Sequence, residues 1–191
     1  MLKDLFSSKT RVKLLQTFLN NPGRIFYVRE LVRTVGEQIN AVRAELARME
    51  RCGMVTSETR ANRKFYGFRK DYVFYDELSR LAAKSSGLGG ALIKERNKLG
   101  KIKYASLSGT YIKRRPVGPT DVDLLIVGSI VLPQLAQLVK ENENVIGREV
   151  NYSVMTEEEF TFRKRRGDPF IRNILEKPKV LLIGDEEEMV R

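Results

Sequence analysis

Ten residues separate Gly109-Thr110 from Asp121-Val122-Asp123, and the apolar run Leu124-Leu125-Ile126-Val127-Gly128 follows directly. A short Gly-Thr turn can offer backbone amides and a hydroxyl to a triphosphate, since glycine lets a ligand approach the main chain closely. Carboxylates two residues apart on an extended chain point to the same side and can share a divalent ion. Together these residues suit metal-assisted displacement at a phosphoryl group. Acidic residues are also ordinary at a solvated strand start, so Asp121 and Asp123 taken alone do not establish such a site.

The rest of the composition narrows the chemistry. The chain of 191 residues has no histidine and one cysteine, Cys52. Ser-His-Asp and Cys-His catalysis, His-liganded zinc, clustered-cysteine metal sites and intramolecular disulfides are all excluded. Any catalysis must run on carboxylates, lysines, hydroxyls and a bound metal. The single cysteine and the charge-interrupted N-terminus, which does not read as a signal peptide, point to a cytoplasmic protein. No continuous apolar run approaches the roughly 18 residues of a membrane-spanning helix.

From Lys101 the hydrophobic pattern alternates strand and helix. Strands are expected over 102–108, 122–128, 148–155 and 180–183, and helices over 131–141, 157–165 and 169–176. This is an α/β (α+β) unit with a small mixed sheet. With Gly109-Thr110 and Asp121-X-Asp123 at this spacing, residues 101–184 of a domain expected over 101–191 resemble the minimal nucleotidyltransferase branch of the DNA polymerase beta superfamily. The resemblance implies that Gly109 and Thr110 hold a nucleoside triphosphate, and that Asp121 and Asp123 are catalytic and coordinate magnesium. Thr110 stands where serine is usual, keeping the hydroxyl but adding a methyl group. The third carboxylate of that family falls on the next strand, where this chain has Asn151, which is uncharged and unable to act as a general base. Glu149 shares its face but lies about 6.6 Å away along a strand. The expected carboxylate triad is therefore incomplete.

The first seventy residues differ in charge and pattern. They hold 15 Lys/Arg and 6 Asp/Glu, against 20 and 18 in residues 71–191, so they carry +9 of the net +11. Such a concentration is expected of a surface that meets phosphate. Helices are expected over 9–20, with Val12, Leu14, Leu15, Phe18 and Leu19 inward, and over 28–35, with Leu31 and Val32 inward. Gly36 turns the chain into a third helix with Ile39, Val42, Leu46 and Met49 as its core face. Its wet face carries Gln38, Asn40, Ala41, Arg43, Ala44 and Arg48, side chains that read base edges and phosphates in a major groove. Strands over 54–58 and 64–68 then enclose a tip, 59–63, containing Arg60 and Arg63. Residues 1–70 resemble the winged helix-turn-helix of arsenical-repressor-like transcriptional regulators. Contacts from Gln38, Asn40, Arg43, Arg60 and Arg63 to duplex DNA follow from that resemblance, as does a homodimer on a two-fold site.

Residues 71–100 read as a helical connector. Tyr72, Phe74 and Tyr75 lead into one helix containing Leu78, Leu81 and Ala82, glycines 87, 89 and 90 break the pattern, and a second helix spans 91–99. The basic run Lys113-Arg114-Arg115 lies between the halves of the signature, where it can meet phosphate. Arg163-Lys164-Arg165-Arg166 suits a solvated helix C-terminus, and the acidic tail 185–188 is expected to be disordered or self-screening.

The leading expectation is a DNA-binding transcriptional regulator whose degenerate nucleotidyltransferase domain serves as nucleotide sensor or assembly surface. The rival is an active nucleotidyltransferase that modifies a protein or RNA hydroxyl, like antitoxins of the minimal type that act on a HEPN-type partner. A scaffold needing neither DNA nor nucleotide is the third reading.

Overall fold

The computed structural model describes residues 2–116, 118 and 121–191; Val117, Pro119 and Thr120, inside the ten-residue spacer, lie outside the described residues. The chain forms two compact units, Met1–Ser85 and Ser86–Arg191.

In the first unit α1 (Leu2–Leu5) precedes α2 (Lys9–Leu19), which starts where the Ser8 side chain accepts the Arg11 amide. After β1 (Ile25–Tyr27) come α3 (Val28–Val35), which ends on Gly36 in a left-handed conformation with φ of 62°, and α4 (Ile39–Arg51). The hairpin β2 (Val55–Arg60) and β3 (Arg63–Phe68) follows, and α5 (Tyr75–Ser85) closes the unit. The sheet order is β1-β3-β2, antiparallel throughout. Leu14, Leu15, Phe18, Leu31, Leu46 and Met49 are almost wholly buried, and the Phe18 ring meets those of Phe26 and Phe68. Three helices around one core, with an antiparallel hairpin after the third, make a winged helix-turn-helix arrangement.

The sheet of this unit differs from expectation in two ways. β1 carries no periodic signal, because three residues are too few for alternation to register; pairing with β3 makes it a strand. The hairpin also closes more tightly than a five-residue tip. Arg60 pairs with Arg63, leaving only Ala61 and Asn62, at φ of 42° and 62°. Positive φ at both positions is the two-residue turn whose twist matches that of the flanking strands.

The connector divides between the units. Ala82 joins the first core, with Tyr75 and Leu78 packed on it. In the second unit α6 (Gly87–Glu95) buries Leu88 and Leu92 in a separate core. This helix starts four residues earlier than expected and contains Gly89 and Gly90, expected to break the helical pattern. Glycine costs about 1 kcal/mol relative to alanine in a helix, a cost that burial of two leucines offsets.

The second unit continues with β4 (Gly100–Ser108), α7 (Gly109–Ile112), β5 (Leu124–Ile130) and α8 (Leu132–Ile146). Then come β6 (Tyr152–Met155), α9 (Glu157–Arg165), α10 (Pro169–Glu176), β7 (Lys179–Ile183) and α11 (Glu186–Val190). The sheet runs β6-β5-β4-β7, with β5 and β6 parallel and the other pairs antiparallel. Leu124 and Ile126 pack with Leu88, Leu92 and Leu135 on one face, while Leu125 and Val127 pack with Phe160, Ile171 and Met189 on the other. Cover on both faces explains why β5 reads as an uninterrupted apolar run.

The acidic tail is ordered as α11, contrary to expectation. The Asp185 carboxylate accepts the Glu188 amide, Glu188 pairs with Lys103 at 2.6 Å, and Met189 is fully buried. Acidic residues in a first helical turn are stabilised by the helix dipole, so the charge run that suggested disorder starts a helix once Met189 has a core to enter.

Candidate nucleic-acid interface and carboxylate site

An open groove of about 1030 Å³ runs between the helices of the first unit and its wing. Arg29 and Arg33 come from α3, one helical turn apart, Arg43 comes from the exposed side of α4, and Arg63 and Lys64 come from the wing. No carboxylate is among the lining residues. Tyr27, at the end of β1, organises one edge: its hydroxyl accepts from Arg33 at 2.5 Å, and the Arg63 guanidinium sits 5.5 Å from its ring centroid. Arg60 stacks over Phe65 at 5.9 Å and pairs with Glu58 on its own strand.

Most other cations of this unit are already matched. Lys13 pairs with Glu37 at 2.7 Å, Arg24 with Glu30 at 2.6 Å, and Arg69 with Asp71 at 2.6 Å. Arg11 and Arg48 both hold Glu45, each at 2.9 Å. Burial pushes the Glu45 carboxyl up, but hydrogen bonds from Ser8 and Arg11 and the charges of Arg11 and Arg48 outweigh it, so the group lies below the ordinary carboxylate value. Arg29, Arg33, Arg43 and Arg63, by contrast, have no carboxylate within ion-pair distance among the described residues. Lys64 lies between these classes, since it lines the groove yet pairs with Glu50 at 3.0 Å.

Of the five residues expected to contact DNA, the structure brings Arg43 and Arg63 into this groove. Gln38 and Asn40 are exposed at the start of α4, and Arg60 is exposed at the hairpin end; none of the three lines the groove. Arg29, Arg33, Lys64 and Tyr27 also line the groove and were not among the residues expected from sequence. The spacing of Arg29 and Arg33 by four on a predicted helix was the available signal for two of them.

The signature residues of the second unit have a different arrangement. Ser108 caps α7 by accepting the Tyr111 amide. The Gly109 amide donates to the Pro178 carbonyl at 2.7 Å, and a Cβ at Gly109 would stand 2.9 Å from that oxygen. Glycine is therefore required here by the approach of the chain ahead of β7. Thr110 and Asp121 do come together, lining a cavity of about 20 Å³ with Ser106, Ser108, Lys177 and Lys179. That is room for about one water molecule.

Each carboxylate of the pair is held by a cation of the chain. Asp121 accepts from Lys177 at 2.6 Å and from the Gly118 amide at 3.0 Å, and these bonds, Lys177 first, hold its carboxyl below the ordinary value. Asp123 is 1 % exposed. Both its oxygens are bound by the Arg148 guanidinium, at 3.0 and 3.1 Å, and one also accepts the Asn151 amide at 3.2 Å. Asp123 does not line the cavity shared by Thr110 and Asp121. The chain over 148–151, expected to begin a strand, is drawn onto Asp123 instead, and β6 starts only at Tyr152. Asn151 acts here through its backbone, its carbonyl accepting from the Asp123 amide at 2.7 Å, while Glu149 is exposed. As placed, these residues do not fit a shared divalent ion, because the oxygens that would bind it are taken. Among the described residues no group of three or more His, Cys, Asp or Glu side chains could hold a metal.

The molecule thus joins a winged helix-turn-helix unit bearing an acid-free basic groove to a mixed-sheet unit with a neutralised carboxylate pair. No protein-family model matches the chain, and no curated protein matches it. Among solved structures, one similar chain is described as reduced HlyU from Vibrio cholerae N16961. It is 24% identical, the match covers 42% of this chain and 83% of that one, and the TM-score is 0.33. That score is too low to define a shared fold, and the winged-helix assignment stands on strand order and helix packing. Among the described residues no helix is long and apolar enough to cross a membrane.

Proposed function

We propose that this protein is a DNA-binding transcriptional regulator that docks on duplex DNA through the groove between α3, α4 and the wing. The observation that supports this reading is the convergence of Arg29, Arg33, Arg43 and Arg63, all without carboxylate partners, on one acid-free surface. Guanidinium groups gathered with no internal counter-charge repel one another, and a polyphosphate relieves that repulsion while releasing its own counterions. Gln38, Asn40 and Arg43, on the exposed part of α4, are suited to base edges and neighbouring phosphates, and Arg60 and Arg63 to the flanking backbone. A homodimer on a two-fold site is part of the proposal, with the mixed-sheet unit as nucleotide sensor or assembly surface.

The test is selection of bound fragments from genomic DNA at about 0.15 M salt with excess nonspecific competitor. Recovery of a short two-fold sequence supports the regulator; recovery of nothing above background removes it. A second reading rests on Thr110 and Asp121 sharing a cavity: metal-dependent nucleotidyl transfer to a protein or RNA hydroxyl, with magnesium on Asp121 and Asp123 and a HEPN-type protein as acceptor. It requires Lys177 and Arg148 to give up those carboxylates. Pyrophosphate release that is lost in Asp121→Asn/Asp123→Asn would favour it over a sensor role.

A further inference from the structure

We infer that the Arg148 guanidinium is the resident cation of the carboxylate pair, standing with Lys177 where a divalent ion would otherwise sit, so that the mixed-sheet unit holds its signature without metal. Asp123 is buried, and its two oxygens meet two guanidinium nitrogens, the planar bidentate match that gives arginine–carboxylate pairs both strength and direction. The Asn151 amide adds a third bond. Arg148 lies over the Tyr111 ring at 5.0 Å, and the Tyr111 hydroxyl donates to the buried Asn142. The cation is therefore built into the packing between α7 and α8.

A divalent ion would have to break this arrangement. Magnesium needs near-octahedral oxygen coordination, usually with one or two carboxylates. Here Asp121 is engaged by Lys177, Asp123 has no free oxygen facing the Thr110 cavity, and the third position is an asparagine. Displacing Arg148 would strand a partly buried guanidinium whose Nε, itself buried, already has no partner among the described residues. Arg114, half-buried and close enough to Arg148 for their charges to repel, makes the surroundings still less hospitable to an entering cation. The inference goes beyond the proposed regulator: it makes the carboxylate pair a metal-independent structural element, and it stands or falls without any DNA being bound.

The experiment uses the full chain. Thermal melting and calorimetric titration of the wild type are run with about 10 mM magnesium and with EDTA. The expected result is the same midpoint in both and no binding heat; a saturable magnesium-dependent rise would overturn the inference. Arg148→Ala leaves the buried Asp123 with the Asn151 backbone amide alone and no counter-charge, but with room for a hydrated ion. Its melting midpoint is expected to fall by about 10 °C without metal and to recover in part with magnesium. A midpoint equal to that of the wild type would remove the role of Arg148. A lowered midpoint that magnesium leaves unchanged would reduce the guanidinium to an ordinary buried ion pair and overturn the substitution for metal. Asp123→Asn/Arg148→Met removes both charges and keeps the volume, so the inference survives poor folding of the alanine variant: the double variant is expected to melt above Arg148→Met alone. Equal midpoints for those two would show that packing, and not charge pairing, is what Arg148 supplies.

Discussion

The two units treat charge in opposite ways. In the mixed-sheet unit Asp123 is closed by Arg148, Asp121 by Lys177, and Glu188 by Lys103. In the winged unit most cations are likewise matched, yet four arginines converge on the groove with no acid to meet them. A fold gains nothing for itself from leaving like charges side by side; the arrangement reads as one prepared for an outside anion. A carboxylate pair already neutralised from within has no such demand. The contrast teaches that the more familiar-looking motif, Gly109-Thr110 with Asp121-X-Asp123, marks charges already matched within the chain, while the less specific basic helix face marks charges left unmatched among the described residues.

The comparison breaks most readily at the groove. Replacing Arg29, Arg33, Arg43 and Arg63 together by alanine is expected to weaken DNA binding by about 100-fold or more and to reduce the slope of log affinity against log salt by about 3. An unchanged slope in a filter-binding or anisotropy titration would mean that phosphate is met elsewhere. The next effect lies in the framing of α4. Glu45→Ala is expected to lower unfolding free energy by about 2 kcal/mol near neutral pH, because Arg11 loses a buried partner. The Glu45 carboxyl lies lower in the folded chain than in the unfolded one, where it is about 4.3. Its contribution is therefore fully present above that value and is lost as pH falls through the folded one. Urea melts should show a difference between wild type and Glu45→Ala that holds near neutral pH and shrinks as pH falls below about 4.3.

Single arginines sharpen the contrast between free and matched cations. Arg43→Ala is expected to cost about 10-fold in affinity and to relax sequence preference, whereas Arg48→Ala, whose charge Glu45 already holds, should cost about 2-fold. Equal losses would mean that total charge matters and pairing does not. The smallest effect belongs to the wing turn. Ala61 is held at φ of 42°, and Ala61→Asn is expected to add about 0.5 kcal/mol of stability with DNA binding retained. A destabilised variant would show that the turn is not under that strain.

Much of this molecule was legible from spacing alone. The apolar steps along α2, α3 and α4, the continuous run of β5, and the bounds of α3, α9 and α10 are properties of local periodicity, and a period survives without knowledge of what packs against it. The concentration of positive charge in the first seventy residues is likewise a fact of composition. Tertiary structure decided the rest. β1 exists because β3 offers it an edge, α6 because its leucines have a core to enter despite Gly89 and Gly90, and α11 because Met189 does. Tertiary structure also decided which charges are free. Arg148 stands 25 residues from Asp123 in sequence and Lys177 56 from Asp121. Arg29, Arg33, Arg43 and Arg63 belong to three separate elements. Sequence supplies the charges and their local direction; whether each meets an opposite charge or is left facing solvent depends on long-range packing, which no local spacing encodes.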